Sequence, residues 1–231
     1  VQIVEQGKQS AGAGIDVMLG GGRKNFLPMD VQDPENPKKR GNRHDGRNLI
    51  AEYMQQDGVA YVWNKAQFDA INPKKTKRLL GLFQPSHMHY EHDRAKDKAG
   101  EPSLAEMTTK AIDILSQREK GYFLMVEAAR VDHASHAGNA YRSFSETVAL
   151  SDAVKATLDK VDLSDTLIIV TADHSHSLTI TGYPKRGNPI LGKVIAPDET
   201  EPTLAKDGKP YTAINFANGL GYHEHVEEAK D

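Results

Sequence analysis

The chain has 231 residues, 38% of them hydrophobic and 26% charged, so it can bury a core as one large domain or two small ones. Its formal net charge of -3 argues against a nucleic-acid partner, because neutralising phosphates requires a basic face. The absence of cysteine excludes disulfides and thiolate metal sites, but allows either a reducing or an oxidising compartment.

The first part of the chain contains a glycine turn and a long loop. An apolar run over residues 15–19 predicts a strand, and Gly20, Gly21 and Gly22 follow it. These glycines lack both the Gly-Lys-Ser/Thr ending of a P-loop and the spacing of a dinucleotide fingerprint, so we interpret them as a structural turn. Prolines and glycines predict a polar loop over residues 28–46, in which the basic run 38–40 is solvated.

Strands and helices then alternate. Apolar residues at helical spacing, ended by glycine or proline, predict helices, and short runs rich in valine and leucine predict strands. The predicted helices cover residues 48–56 and 65–71, and the predicted strands cover residues 59–62 and 79–83. A group of histidines follows the last strand, at positions 87, 89 and 92, and we interpret it as a surface feature or part of a substrate rim.

A stronger helix is predicted from Ser103 onwards. Ser103 has the position of an N-cap and Glu106, three residues later, completes a capping box. Apolar side chains then recur at helical spacing as far as Leu115.

Two later segments end in possible metal ligands. Phe123–Val126 reads as a buried parallel strand that leads to Glu127, Asp132, His133 and His136. Asp132 and His136 are four residues apart, so a helical turn would place them on one face, where they could bind a single ion. A solvated loop that happens to contain these residues is the alternative for this segment alone.

The second segment repeats this pattern. The apolar run over residues 166–170 leads to Asp173 and His174, followed by His176. Two predicted strands that each end in an Asp and a His make a site for two metal ions plausible. Carboxylates and imidazoles without thiolates suit zinc beside a harder ion such as magnesium.

The alternation of strands and helices predicts the fold class: an α/β fold with a doubly wound, mostly parallel sheet and helices on both faces. A long helix is predicted over residues 138–160, between the two ligand segments. We expect residues 1–181 to form an α/β core segment and residues 182–231 an irregular, β-rich extension, both parts of one larger domain. His223 and His225 near the end are interpreted as a polar tail.

The two ligand segments, VEAARVDHASH (126–136) and VTADHSH (170–176), closely resemble the metal-binding motifs of the alkaline phosphatases. Four further segments resemble that family in the same order: DVMLGGGRK (16–24), DGRNL (45–49), YVWN (61–64) and GLFQP (81–85). The likeness runs from about residue 16 to residue 216 and is strongest to the branch with the animal enzymes, which have a His at the position of His133.

This resemblance implies two Zn²⁺ and one Mg²⁺. Asp132 and His136 match ligands of the first zinc, and Asp173 and His174 match ligands of the second. Glu127 matches a ligand of the magnesium ion.

Two histidines have implied roles beside the metals. His133 would lie near the phosphate as a catalytic residue without binding metal, and His176 would support the ligands. Animal members also hold calcium through Phe-Glu-Pro and Asp-Pro-Ser segments. Here these read FQP (83–85) and EPS (101–103), which removes one acid and moves the other, so we assign no calcium.

The resemblance also implies the activity, namely hydrolysis of phosphate monoesters through a phosphoserine intermediate. The serine, a further aspartate, the phosphate-binding arginine and a third histidine ligand would all lie outside this chain, which starts at Val1 without methionine or a signal peptide. We therefore expect an inactive part of a homodimeric periplasmic or extracellular enzyme that acts on small phosphate esters and has no membrane span. The alternatives are an inert metal-binding fragment and another phosphohydrolase of the same superfamily.

Overall fold

A three-stranded parallel sheet forms the centre of the first part of the chain. The computed structural model describes residues 14–217. The strands are β1 (Val17–Gly20), β2 (Val59–Val62) and β3 (Arg78–Leu82), in the spatial order β1-β3-β2. Leu80 lies opposite Met18 on one side and opposite Tyr61 on the other. The three strands confirm the predictions from sequence to within two residues.

Helices cover both faces of this sheet. Their bounds are α1 (Leu49–Met54), α2 (Lys65–Ala70), α3 (Glu91–Arg94) and α4 (Leu104–Leu115), with 3-10 helices at Arg23–Phe26 and Pro73–Lys75. Leu80 and Leu82 pack with α1 on one face, whereas Leu79 packs with Phe68 of α2 and Ile114 of α4 on the other. Successive side chains of β3 point to opposite faces, which is why one strand contributes to two cores. The predicted doubly wound arrangement is therefore confirmed.

The helix ends follow the local signals in the sequence. Ser103 Oγ accepts a hydrogen bond from the Glu106 backbone N–H, and the Glu106 carboxylate accepts one from the Ser103 N–H, so the predicted capping box is present. The Asn48 side chain caps α1 by accepting a hydrogen bond from the Ala51 backbone N–H (3.0 Å). Gly58, with φ of 71°, forms the turn between α1 and β2.

The glycine turn after β1 is structural. A Cβ on Gly21 would lie 2.1 Å from the Ser86 carbonyl oxygen, so only glycine fits there. The N–H groups of Gly22, Arg23 and Lys24 all donate to backbone carbonyls of residues 84–86, which leaves none of these three for a phosphate.

A buried arginine ties this turn to the polar loop. Arg23 is inaccessible to solvent, and its guanidinium donates two hydrogen bonds to Asp33 (2.8 and 2.9 Å) and one to Glu35 (2.8 Å). It also donates to the carbonyl of Leu82 at the end of β3 (2.8 Å) and lies 5.4 Å from the Trp63 ring centroid. The predicted loop 28–46 is therefore held to the carboxyl end of the sheet by a fully desolvated ion pair.

The described residues divide into two compact units: residues 14–127 with 149–162, and residues 128–148 with 163–217. The second unit contains α5 (Arg130–His136) and the antiparallel strands β4 (Leu178–Ile180) and β5 (Ile214–Phe216). The long helix α6 (Ala140–Leu158), predicted over residues 138–160, contributes its first half to the second unit and its second half to the first.

The two apolar segments before the ligands are not strands, and this prediction was wrong. Residues 123–126 and 167–170 pair with no strand among residues 14–217. Their large side chains are exposed, with 89% of Phe123 and 83% of Leu167 accessible. A β-strand is stable only when its backbone groups bond to a neighbour, and apolar composition alone provides no such partner.

Within the described part of the chain, none of the helices is long and apolar enough to cross a bilayer.

Candidate metal centre

The first pair of predicted ligands lies on α5. This short helix places Asp132 and His136 on one face, with His136 Nε2 3.6 Å from Asp132 Oδ1. The predicted helical turn after the first segment is therefore present. Both side chains are accessible to solvent, with 71% of the His136 side chain exposed.

The second segment brings two more imidazoles to the same carboxylate. His176 Nε2 lies 2.9 Å from Asp132 Oδ1, and His174 Nε2 lies 3.7 Å from the same oxygen. The rings of His136 and His174 stand edge to face against that of His176, at centroid distances of 4.9 and 5.1 Å. Residues 44 positions apart in the chain thus meet around one carboxylate oxygen.

This arrangement suits a divalent metal ion. Donor atoms of Asp132, His136 and His176 all lie within 4.8 Å of one another. One carboxylate and two imidazoles, without a thiolate, are typical zinc ligands. Asp132 and His136, the pair predicted to hold the first zinc, supply two of the three protein ligands usual in a catalytic zinc site.

His176, to which the family resemblance gives a supporting role, is the least exposed of the four side chains at this site. Its side chain is only 16% exposed, whereas those of His174 and Asp132 are 54% and 40% exposed. The sequence indicates that His174 and His176 lie on one side of the chain. They are two residues apart, and residues at that spacing point to the same side of an extended chain.

Asp173 and Glu127 are placed differently. Asp173 is 87% exposed, and its Oδ2 lies 3.3 Å from His174 Nε2. Glu127 is exposed and belongs to the first unit. Their roles as ligands of the second zinc and of magnesium stay predictions.

The protonation of His174 bears on metal binding. The Ser175 carbonyl, which accepts a hydrogen bond from Nδ1, raises the pKa of His174, and the nearby Asp173 carboxylate raises it further. A metal ion needs the neutral imidazole, so protons compete for His174 at a higher pH than for an isolated histidine.

His133, predicted near the phosphate, is half-buried on α5. The Arg130 guanidinium donates a hydrogen bond to His133 Nδ1 (2.9 Å). The arginine guanidinium has only hydrogen-bond donors, so His133 Nδ1 is the acceptor and the proton of the neutral ring is on Nε2.

The other histidines considered in the sequence lie either at the surface or outside residues 14–217. His87, His89 and His92 are exposed, as predicted, although the His89 ring contacts the buried Glu101 carboxylate. The backbone N–H of His89 also donates to both Glu101 oxygens (3.3 and 3.1 Å). His223 and His225 lie outside the described residues.

Comparison with known protein families shows which family the chain belongs to. The sequence profile described as alkaline phosphatase matches residues 2–231. The chain belongs to the alkaline phosphatase family. The alkaline phosphatase of Gadus morhua is 41% identical over 214 residues, covering 90% of this chain and 43% of the relative. The tissue-nonspecific isozyme of Gallus gallus is 41% identical over 215 residues, covering 90% of this chain and 40% of the relative.

Solved structures of alkaline phosphatases resemble the chain as well. The Thermus thermophilus enzyme is 34% identical with a TM-score of 0.52, over 63% of this chain and 27% of that one. The enzyme of the Antarctic bacterium TAB5, 20% identical with a TM-score of 0.61 over 90% of this chain and 50% of that one, supports the fold alone. A variant of the TAB5 enzyme was solved with magnesium bound. The chain spans about two fifths of the length of the Gadus morhua and Gallus gallus enzymes.

Proposed function

We propose that this chain contributes a metal centre to a phosphatase that hydrolyses phosphate monoesters through a phosphoserine intermediate, with the serine supplied from outside these 231 residues. The observation that carries the proposal is the meeting of Asp132, His136, His174 and His176 around one carboxylate oxygen. Membership of the alkaline phosphatase family supports the reaction class.

We assign two Zn²⁺ and one Mg²⁺ to the complete site. Asp132 and His136 would hold the first zinc, Asp173 and His174 the second, and Glu127 the magnesium. Zinc bound in such a site supplies a Lewis acid that lowers the pKa of a coordinated hydroxyl and stabilises charge on phosphate oxygens.

The described side chains have separate tasks in this proposal. His176 Nε2–H donates to Asp132 Oδ1, which fixes the orientation of that carboxylate and leaves its other oxygen available. Arg130 fixes the tautomer of His133, so that His133 can donate a hydrogen bond through Nε2. His133 is the catalytic residue that we expect to face the phosphate.

Substrate, assembly and location follow from the same proposal. We infer small phosphate esters as substrates, because the proposed site recognises metal and phosphate rather than the alcohol. We also infer a homodimeric protein in the periplasm or outside the cell. A phosphodiesterase or mutase of the same superfamily is disfavoured, because the similarity to alkaline phosphatases extends over 90% of the chain and not only over the ligand segments.

Zinc binding by the 231-residue chain tests the proposal. We expect weak binding in equilibrium dialysis at pH 8, reduced at least tenfold by His136→Ala but not by the control His92→Ala, which changes an exposed histidine outside the cluster. Identical binding by both variants would contradict the assigned centre.

Turnover of a chromogenic phosphomonoester gives a second measurement. Each proposed zinc has one Asp and one His in this chain and the nucleophile is missing, so we expect no measurable hydrolysis by the chain alone. Robust hydrolysis that His174→Ala abolishes would show that the 231 residues already form a complete site, and it would overturn the assignment of the serine.

A further inference from the structure

The segment from Asn72 to Arg78 is a strongly basic stretch of the first unit. Four of its seven residues are cationic, namely Lys74, Lys75, Lys77 and Arg78, in a chain whose net charge is -3. It is not part of the metal centre, and it does not belong to any motif that the family resemblance uses. We refer to residues 72–78 as the basic turn.

The backbone of the basic turn is held in a defined conformation. The Asn72 side chain accepts a hydrogen bond from Lys74 N–H (3.0 Å), and Thr76 Oγ1 donates to the Asn72 carbonyl (3.0 Å). Gln117 Nε2 donates to the Pro73 carbonyl (2.8 Å). The lysines therefore extend from a fixed turn, so little backbone entropy is lost when a partner binds.

The three lysines are exposed and carry uncompensated charge. Among residues 14–217, none of Lys74, Lys75 and Lys77 forms an ion pair with a carboxylate. These residues lie within a few positions of one another, closer than the ~10 Å Debye length at 0.1 M salt, so their fields add.

The neighbouring charges balance, with Arg118 and Lys110 against Asp16 and Asp57, so the charge of the turn itself remains. Arg78 and Arg118 share the single carboxylate of Asp16, at 3.8 and 3.0 Å. Lys110 Nζ donates to the carbonyl of Ile71, immediately before the turn (3.2 Å). The exposed carboxylate of Asp57 is a negative charge near the turn. Asp57 directly precedes Gly58, whose carbonyl accepts a hydrogen bond from Lys77 N–H.

The composition of the basic turn argues against some classes of binding partner. It contains no aromatic side chain on which a base could stack, which argues against single-stranded nucleic acid. It also presents no exposed large apolar side chain to enter a bilayer. Lysine ammonium groups act as mobile point charges rather than as a fork for one phosphate.

We propose that the basic turn is a docking surface for a linear, closely charged polyanion such as a sulfated polysaccharide. The basic turn precedes β3, at the amino edge of the parallel sheet, whereas β1 and β3 lead at their carboxyl ends to the glycine turn and Arg23. The proposal does not depend on the phosphatase activity.

Binding of size-defined heparin fragments to the 231-residue chain tests this surface. The measurement is made by calorimetry at pH 8 in metal-free buffer, so that histidine charge and bridging ions do not contribute. Three contacts predict that affinity falls ~40-fold between 50 and 200 mM salt, from a slope of about -0.9 per released counterion.

A matched pair of triple variants locates the site. Replacing Lys74, Lys75 and Lys77 with Gln is expected to weaken binding at least ~10-fold at 50 mM salt, with unchanged circular dichroism. The control replaces the exposed Lys38, Lys39 and Lys98 with Gln, which removes the same charge. It is expected to change binding less than twofold.

Other results would overturn the proposal. Equal losses in the two triple variants would mean that any surface lysine suffices. Lysine-dependent binding to vesicles containing 30% phosphatidylglycerol, without binding to heparin, would assign the turn to a membrane surface instead. Equal affinity for polyglutamate and heparin would assign it to an acidic polypeptide.

Discussion

Replacement of Arg23 by Met gives a direct test of how the long loop is held to the sheet. The substitution keeps a side chain of similar length and removes the charge. Within residues 14–217 it leaves Asp33, whose side chain is 2% exposed, with hydrogen bonds only from the backbone N–H groups of Glu35 (3.0 Å) and Asn36 (3.1 Å). A buried carboxylate that loses its cation destabilises a protein by about 3–5 kcal/mol, so we expect a loss of that size.

The double variant separates the charge from the packing. In the Arg23→Met background, Asp33→Asn removes the unpaired charge, so the second substitution should restore stability. We expect a coupling energy of about 2 kcal/mol or more between the two positions. Arg40→Met serves as the control, because Arg40 is exposed, and it should cost less than about 0.5 kcal/mol.

The assay uses urea unfolding followed by tryptophan fluorescence. Trp63 is the only tryptophan of the chain and belongs to the first unit, so its emission reports the unfolding of that unit. Arg23 lies over the Trp63 ring, and the folded-state emission of Arg23→Met should therefore differ as well.

The pH dependence provides an independent check. Burial raises the pKa of Asp33, but hydrogen bonds from Arg23 and from the backbone outweigh this effect and the net pKa is lowered. The pair therefore stabilises the folded state above the unfolded pKa of Asp33, and this contribution is lost as the pH falls through the folded pKa. A loss below 1 kcal/mol in Arg23→Met, or the same acid sensitivity in variant and parent, would refute the reasoning.

Three further predictions concern other positions. Burial raises the pKa of Tyr53 to about 12, and its hydroxyl has no partner among the described residues. Between pH 8 and pH 11, the free energy of unfolding measured in urea should therefore fall by about 1 kcal/mol less in Tyr53→Phe than in the parent. The sign follows because a raised folded pKa gives stability that disappears as the pH rises; equal losses would contradict it. His176→Ala should weaken zinc binding ~10–100-fold in equilibrium dialysis, whereas unchanged affinity would show that His176 does not orient Asp132. Gly21→Ala should lower the melting temperature strongly because of the 2.1 Å approach to Ser86, whereas Gly20→Ala, with no atom within 4 Å, should not; similar melting temperatures would show that the turn can relax.

Local patterns in the sequence predicted the first unit well. Ser103 caps a helix as predicted, because a capping side chain bonds to N–H groups within three residues of itself. Strand β3 was predictable because its residues 79–82 are buried on both faces and contain no polar side chain.

Features that depend on distant partners were harder to predict. Residues 123–126 have strand composition, but strand formation depends on a neighbouring backbone that composition does not reveal. The contact of His176 with Asp132 joins residues 44 apart, and the pairing of Arg23 with Asp33 depends on the path of a loop. Sequence spacing gave the chemical types of these residues but not which of them meet.

The exposure of Phe123 and Leu167 affects how the isolated chain behaves in solution. Unpaired, uncharged segments of high β-propensity join edge to edge with copies of themselves. The TLIIVT segment over residues 166–171 has this composition, with no charge and no proline. Both segments lie directly before predicted metal ligands, so self-association through them would restrain the part of the chain to which we assign zinc binding. The metal affinity of the 231-residue chain should therefore depend on protein concentration, and dilute samples give the intrinsic value.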